Sequence, residues 1–297
     1  MFVIKYKNLF FLFSGLLIAG SLVAIFTYGL NVGTDFTGGS ILEISYNQTR
    51  PDVELLRTTV AKLDFGTVAL QPAGDTGLIA RLRTINQGEK DSLEKVLSIG
   101  GQNTFTEKRF SAIGPTVGQE LKRRGLIAVA LVVLLIILFI AFVFRKVSRP
   151  VSSWKYGVTA FVALLHDLII PTGVFAILGH YYGTQVDALF LTGLLTILGL
   201  SVHDTIVVFD RIRENLKHHA ASTFAETVGQ SLSETFTRSI NTSLTIILVL
   251  VILFFYGAQS TKEFSLLMAI GVFVGTYSSI FIASPLLVVW NNWKQKN

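Results

Sequence analysis

The stretch Leu198-Gly199-Leu200-Ser201-Val202-His203-Asp204-Thr205-Ile206-Val207-Val208-Phe209-Asp210-Arg211-Ile212-Arg213-Glu214-Asn215 decides how this chain is read. It closes an apolar run that begins near Ala188, carries His203 and Asp204 inside that run, and breaks into charge at Asp210. An ionisable side chain within a membrane span costs about 3 kcal/mol or more, so it faces protein or water and is a functional candidate by default. The competing explanation is a polar contact that only joins helices.

The rest of the chain has the composition of a membrane protein. Of its 297 residues only 15% are charged and 51% are hydrophobic, against about 25% charged in an ordinary soluble domain. There is no cysteine, which excludes disulfides, thiolate metal sites and cysteine nucleophiles.

Residues 9–30 form an uncharged run of 22 residues after Lys5 and Lys7. About 20 cross a bilayer, and a signal peptide has a shorter apolar core of about 7–15 residues, so this is a retained first span. Further apolar runs at 125–144, 156–178, 188–209, 234–256 and 264–290 give six spans. Gly271 and Gly275, four apart in the last, permit close helix approach. Trp154, Trp290 and Trp293 lie at span ends, where an aromatic belt is expected.

Between the first two spans the pattern changes. The glycine motif Val32-Gly33-Thr34-Asp35-Phe36-Thr37-Gly38-Gly39 reads as a tight turn from membrane into domain, since glycine permits positive φ and close backbone approach. A strand pattern follows it and it has no Lys, so it is no phosphate loop. Leu42, Ile44 and Tyr46 alternate with Glu43 and Ser45 as in a strand. Pro51 opens a helix with Val53, Leu56, Val60 and Leu63 on one face. Val68 with Leu70, then Leu78, Ala80 and Leu82, predict two more strands; Leu93, Val96 and Leu97 predict a helix; residues 104–110 predict a last strand. The order βαββαβ is that of the ferredoxin-like fold. The predicted organisation is a first span at 1–30, an α+β domain at 31–122 and five spans in 123–297.

Charge predicts orientation. Short segments on the side of the termini carry Lys5, Lys7, Arg145, Lys146, Arg149, Lys155, Arg211, Arg213, Lys217, Lys294 and Lys296, whereas the two short loops opposite carry only Lys262. The positive-inside rule places both termini in the cytoplasm and the α+β domain outside. The net charge of +6 thus encodes topology rather than nucleic-acid binding.

Depth along the spans suggests a site. Asp204 lies 16 residues from Ala188, roughly 24 Å below the external face, and Arg238 lies 18 residues before Tyr256, roughly 27 Å below it. Glu234, Asn241, Thr242 and Thr245 fall at i−4, i+3, i+4 and i+7 from Arg238 and form one polar stripe with it. An Asp204–Arg238 pair between helices is one reading; an Arg238–Glu234 pair within one helix is the other. In the third span, Pro171 deprives the carbonyl of Asp167 of its helical donor, which places Asp167 and His166 at a kink or in a relay.

These residues also carry a family resemblance. The sequence Gly199–Asn215 resembles the fourth-span signature of the SecF family, Val32–Gly39 resembles the glycine motif of that family's external domain, and Thr237-Arg238-Ser239-Ile240-Asn241-Thr242-Ser243 resembles its fifth-span motif. The resemblance covers essentially the whole chain. It implies a bacterial cytoplasmic-membrane protein that works with a SecD-like subunit and the Sec translocon channel on an exported unfolded polypeptide. Protons would be the coupling ion, with no other cofactor. The family's intramembrane acid and arginine map onto Asp204 and Arg238, its cytoplasmic motif onto Asp210, Arg211, Arg213, Glu214 and Asn215, and its glycine motif onto Gly33, Asp35, Phe36, Gly38 and Gly39. The chain departs from the family pattern at His203, where Asn is usual, and at Leu200, where Tyr is common. His203 adds a second titratable group, so either residue is a candidate to take the proton first.

Other classes fit less well. A resistance-nodulation-type exporter needs about twice the spans, so this chain is at most half of one. An aspartyl protease would pair Asp167 with Asp204, but the Gly-x-Gly-Asp pattern is absent. A metal site from His166, Asp167, His203 and Asp204 has suitable ligand types, yet adjacent helical residues diverge by about 100° and chelate poorly.

Overall fold

The structure is a computed structural model. It describes residues 2–66, 68–146, 151–219 and 221–296; Arg149 lies outside the described residues, as do the side chains of Lys146, Trp293, Lys294 and Lys296. The chain divides into two units, Val32–Leu126 and, from the two flanks, Met1–Asn31 with Ile127–Asn297.

Helices α1 (Phe2–Lys5) and α2 (Lys7–Tyr28) open the membrane unit. The smaller unit then begins with the one-turn helix α3 (Thr34–Thr37). It continues as β1 (Gly39–Tyr46), α4 (Val53–Val60), β2 (Ala69–Ala73), β3 (Gly77–Leu82), α5 (Gln87–Leu97) and β4 (Phe105–Ile113). All strand pairs are antiparallel and the sheet order is β2-β3-β1-β4. The helix predicted to open at Pro51 instead begins after it. Asp52 is the N-cap, accepting from the backbone N–H of Glu54 and Leu55, as a short carboxylate at that position does. Asn86 and Glu89 cap α5 reciprocally. Hydrogen bonds from Arg83 and from the Asn86 N–H hold the Glu89 carboxyl below its ordinary range.

Leu42, Ile44, Leu56, Leu78, Leu93 and Leu97 fill the core of this unit, each at most 1% exposed. We expect residues 33–120 expressed alone to give a folded monomer, and Leu93→Ala to cost it about 2–5 kcal/mol in a urea titration, the range for emptying a buried leucine site. A disordered spectrum for the isolated segment would contradict this.

The glycine motif is built for close backbone approach. Gly38 has φ 78° and ψ 155°, a region essentially confined to glycine. A Cβ there would meet Pro115 Cα at 2.6 Å, and one on Gly118 would meet the Gly38 nitrogen at 2.9 Å. The motif therefore lies directly on the first turn of α6 (Pro115–Val143).

After α6 come α7 (Ser153–Tyr182), α8 (Ala188–Lys217), α9 (Phe224–Tyr256) and α10 (Gln259–Ser278). A π-helical turn, Ser279–Ala283, joins α10 to α11 (Ser284–Lys296). Among the described residues six helices are long and apolar enough to cross a membrane, α10 through α11 making the sixth. Helix α7 runs unbroken through Pro171. Small residues set the packing. Gly173 of α7 leaves room for Ser21 of α2, while Gly271 and Gly275 of α10 admit Ile197 and Ser201 of α8. Near one end, the Phe144, Tyr156 and Phe209 rings pack with centroids 5.2–5.8 Å apart. Trp154 and Trp290 meet edge to face at 6.2 Å.

Candidate functional site

Helix α8 buries Ser201, Thr205, Val208 and Ile212 and leaves Asp204 half-buried beside that stripe. Asp204 Oδ2 accepts from Thr276 Oγ1 of α10 at 3.3 Å and from Ser243 Oγ of α9 at 3.5 Å. Both hydroxyls also bond back to their own helices, Ser243 to the Ser239 carbonyl and Thr276 to the Val272 carbonyl, each at 2.9 Å. They lie 2.5 Å from one another. A hydroxyl has one proton to give, so two protons serve two carbonyls, a carboxylate and each other. The contacts to Asp204 are the long ones, at or past the end of the usual O–H···O range. Asp204 is loosely held. A cavity of about 30 Å³ adjoins it, lined by His203, Thr242 and Gly275 among others, which is room for one water. His203 is exposed on the neighbouring face of α8.

Asp167 is held differently. It is wholly buried in α7 and accepts from Ser278 Oγ of α10 at 2.8 Å and from Ser201 Oγ of α8. His166 Nδ1 lies 2.9 Å from its other oxygen. Three partners on three helices fix this carboxyl, and Ser201 stands one turn before Asp204 on α8. The structure thus gathers Asp204, Asp167 and His166 around two hydroxyl pairs.

Arg238 does not join them. It is exposed on α9, and among the described residues no carboxylate pairs with it. Ser243, the α9 residue that bonds Asp204, lies five positions on, a rotation of about 140° around the helix; only Thr242 of the Arg238 stripe reaches the cavity beside Asp204. The polar stripe Glu234, Arg238, Asn241, Thr242 and Thr245 is exposed along its length. The buried face of α9 carries Thr227, Ser231, Thr235, Ser239 and Ser243 instead. Their four-residue spacing was visible in the sequence, and sequence reasoning passed over it. Several satisfy themselves by bonding to the carbonyl four residues earlier.

Glu234 belongs to another cluster. Its carboxylate accepts from Arg211 Nε at 2.5 Å, Asn215 Nδ2 at 2.8 Å and Gln230 Nε2 at 2.9 Å, and it does not pair with Arg238. Arg211 also reaches Glu214 at 2.7 Å, Arg213 reaches Asp210 at 2.9 Å, and the buried Asn215 donates to Ser231. The motif from Asp210 to Asn215 therefore latches the end of α8 to the start of α9. Glu234, nine residues or about 13 Å before Ser243, is part of that latch.

Comparison with known proteins places these features. Residues 93–293 match the family model "Protein export membrane protein SecD/SecF, C-terminal", and residues 23–49 match the "SecD/SecF GG Motif". The chain is 41% identical to the protein translocase subunit SecF of Thermobaculum terrenum, over 98% of its own length and 94% of that protein's. It is 32% identical to the protein translocase subunit SecDF of Bacillus subtilis over 98% of its length, which is 38% of that longer chain. The crystal structure of SecDF from Thermus thermophilus, titled a translocon-associated membrane protein, superposes with a TM-score of 0.83 at 31% identity, over 97% of this chain and 38% of that one. With the glycine motif, the six spans and the polar centre between α7, α8, α9 and α10 all in place, the chain belongs to the SecF family of protein translocase subunits.

Proposed function

We propose that this SecF-family translocation subunit draws on the proton-motive force to assist late steps of export through the Sec translocon, with Asp204 as the proton-exchange site. The observation that carries the reading is the loosely bonded, half-buried carboxylate beside a water-sized cavity within apolar helices. A carboxylate whose donors have other acceptors at hand changes partners readily, and adding or removing its proton reverses the direction of the hydrogen bonds it makes. His203 stands at the exposed side of the site, where it would pass protons in or out.

In this reading Arg238 is a fixed cation that faces a SecD-like subunit. A guanidinium stays charged at any physiological pH, and one inside a span requires a partner. The lengths of the SecDF relatives, in which a chain of this kind is about two-fifths of the whole, support such a partner. The proposed setting is the bacterial cytoplasmic membrane, with both termini in the cytoplasm and a ferredoxin-like domain outside.

The test is export into vesicles reconstituted with the partner, with and without an imposed proton gradient. Arg238→Met should weaken partner binding by about 2–5 kcal/mol, the cost of truncating one side of a buried charge pair. Arg238→Lys keeps the charge and loses the planar fork, so it should cost less. Equal partner affinity for Arg238→Met and wild type would remove the fixed-cation role, and gradient-independent export by wild type would remove the coupling.

A further inference from the structure

We infer that His166 and Asp167 form a second, internal proton station, reached from Asp204 through a water in the adjoining cavity and the hydroxyl of Ser201. The inference rests on Asp204 being the exchange site and extends the path inward from it.

The geometry is that of a built site rather than of a chance buried acid. Asp167 is 0% exposed and His166 is 1% exposed. Taking an ion out of water costs several kcal/mol even after relaxation, and among the described residues no Lys or Arg pairs with Asp167. Its partners are neutral hydroxyls from α8 and α10 and the imidazole beside it. The Tyr277 ring of α10 stacks on that imidazole at 6.0 Å, and the Tyr277 hydroxyl is bonded to Ser14 of α2. Tyr277 is thus a titratable group that faces the pair from a neighbouring helix among the described residues. Among the described residues His166 Nε2 is buried with no hydrogen-bond partner. With Asp167 ionised, Oδ1 accepts from the Nδ1–H tautomer of His166, and that bond persists when a proton arrives on Oδ2, the oxygen that faces Ser201 and Ser278.

Ser201 is the link. Its hydroxyl bonds Asp167, and the same residue lines the cavity that Asp204 lines, one turn away on α8. In the step, Asp204 as carboxylic acid gives its proton to the water. The water passes one of its own to Ser201 Oγ, and Ser201 passes its hydroxyl proton to Asp167 Oδ2. Three O–H bonds break and three form. Asp204 ends ionised and Asp167 neutral, so a negative charge has moved from the inner carboxyl to the outer one.

The experiment is infrared difference spectroscopy of the full-length chain in lipid vesicles across a pH change. Wild type should show two carboxylic C=O bands, one lost in Asp204→Asn and the other in Asp167→Asn. After a rapid pH jump, Ser201→Ala should keep both bands but delay the Asp167 response by about a hundredfold, the lower end of what a positioned proton-transfer group contributes. Ser201→Thr, which retains a hydroxyl, should restore the wild-type rate. Ser201→Ala carries the test if Asp167→Asn fails to fold. A single band that disappears in Asp204→Asn, or unchanged timing in Ser201→Ala, would overturn the inner station. Retention of both bands in Asp204→Asn overturns the outer-site reading instead, so the two failures are distinct.

Discussion

We expect proton-driven export to fall to the level without a gradient in Asp204→Asn, while insertion, folding and partner binding stay at wild-type levels. The amide has the size and shape of the carboxylate and accepts from or donates to the Thr276 and Ser243 hydroxyls, which reorient freely. What it cannot do is take up and release a proton. One charge moved through 100 mV is worth about 2.3 kcal/mol, or roughly fiftyfold in a two-state population. A helix arrangement balanced within that range responds fully to the titration of one carboxyl and not at all once titration is removed. The measurement is late-stage translocation of a reporter into vesicles holding the variant and its partner, with the gradient imposed and then collapsed. Normal gradient dependence in Asp204→Asn would transfer the role to His203.

The parts of this fold that were legible in the sequence are those written in hydropathy. The alternation of Leu42, Ile44 and Tyr46 follows from burial in a protein core and the six apolar runs from transfer into a membrane, and removal of apolar surface from water drives both. The Asp204 site was legible as a position and not as a set of contacts. Counting residues gives depth along a span, and by depth Arg238 and Asp204 are level. Depth says nothing about rotation, and 140° separates the face bearing Arg238 from that bearing Ser243. Apart from His166, the partners of Asp204 and Asp167 are the hydroxyls of Ser201, Ser243, Thr276 and Ser278, and hydroxyls are close to neutral in hydropathy, so a scan for apolar runs passes over them. Their signal was periodic instead, a hydroxyl at every fourth position from Thr227 to Ser243 on the buried face of α9. Glu234 misled for a related reason. Its i−4 relation to Arg238 suggested a pair on one helix, but Arg211, Asn215 and Gln230 supply three donors to the same carboxylate, and three charge-assisted bonds outweigh one solvent-exposed ion pair of up to about 1 kcal/mol.

Gly38→Ala unfolds or severely loosens the α+β unit, with an expected loss of about 3 kcal/mol, and this tests what the glycine motif is for. Two costs add at this position. The backbone sits at φ 78° and ψ 155°, where a residue other than glycine is strained by about 1–3 kcal/mol. The new methyl also stands 2.6 Å from Pro115 Cα and 2.7 Å from Pro115 N. Those are backbone atoms of the first turn of α6, and proline, with φ fixed by its ring, leaves them little freedom to retreat. Overpacking of this kind costs about 1–3 kcal/mol by itself. Gly100 supplies the control, since it has a similar φ of 67° but open space where a Cβ would go. Gly100→Ala should therefore cost only about 1 kcal/mol, the price of a left-handed non-glycine residue. Pulse proteolysis of the full-length variants in detergent across a urea series reads the stability of this segment directly. Equal stabilities for the two variants would mean that the motif needs glycine only for its dihedral angles. A gap of about 2 kcal/mol, the size of the overpacking term, would mean that it needs glycine to seat the strand start of β1 against α6, backbone on backbone.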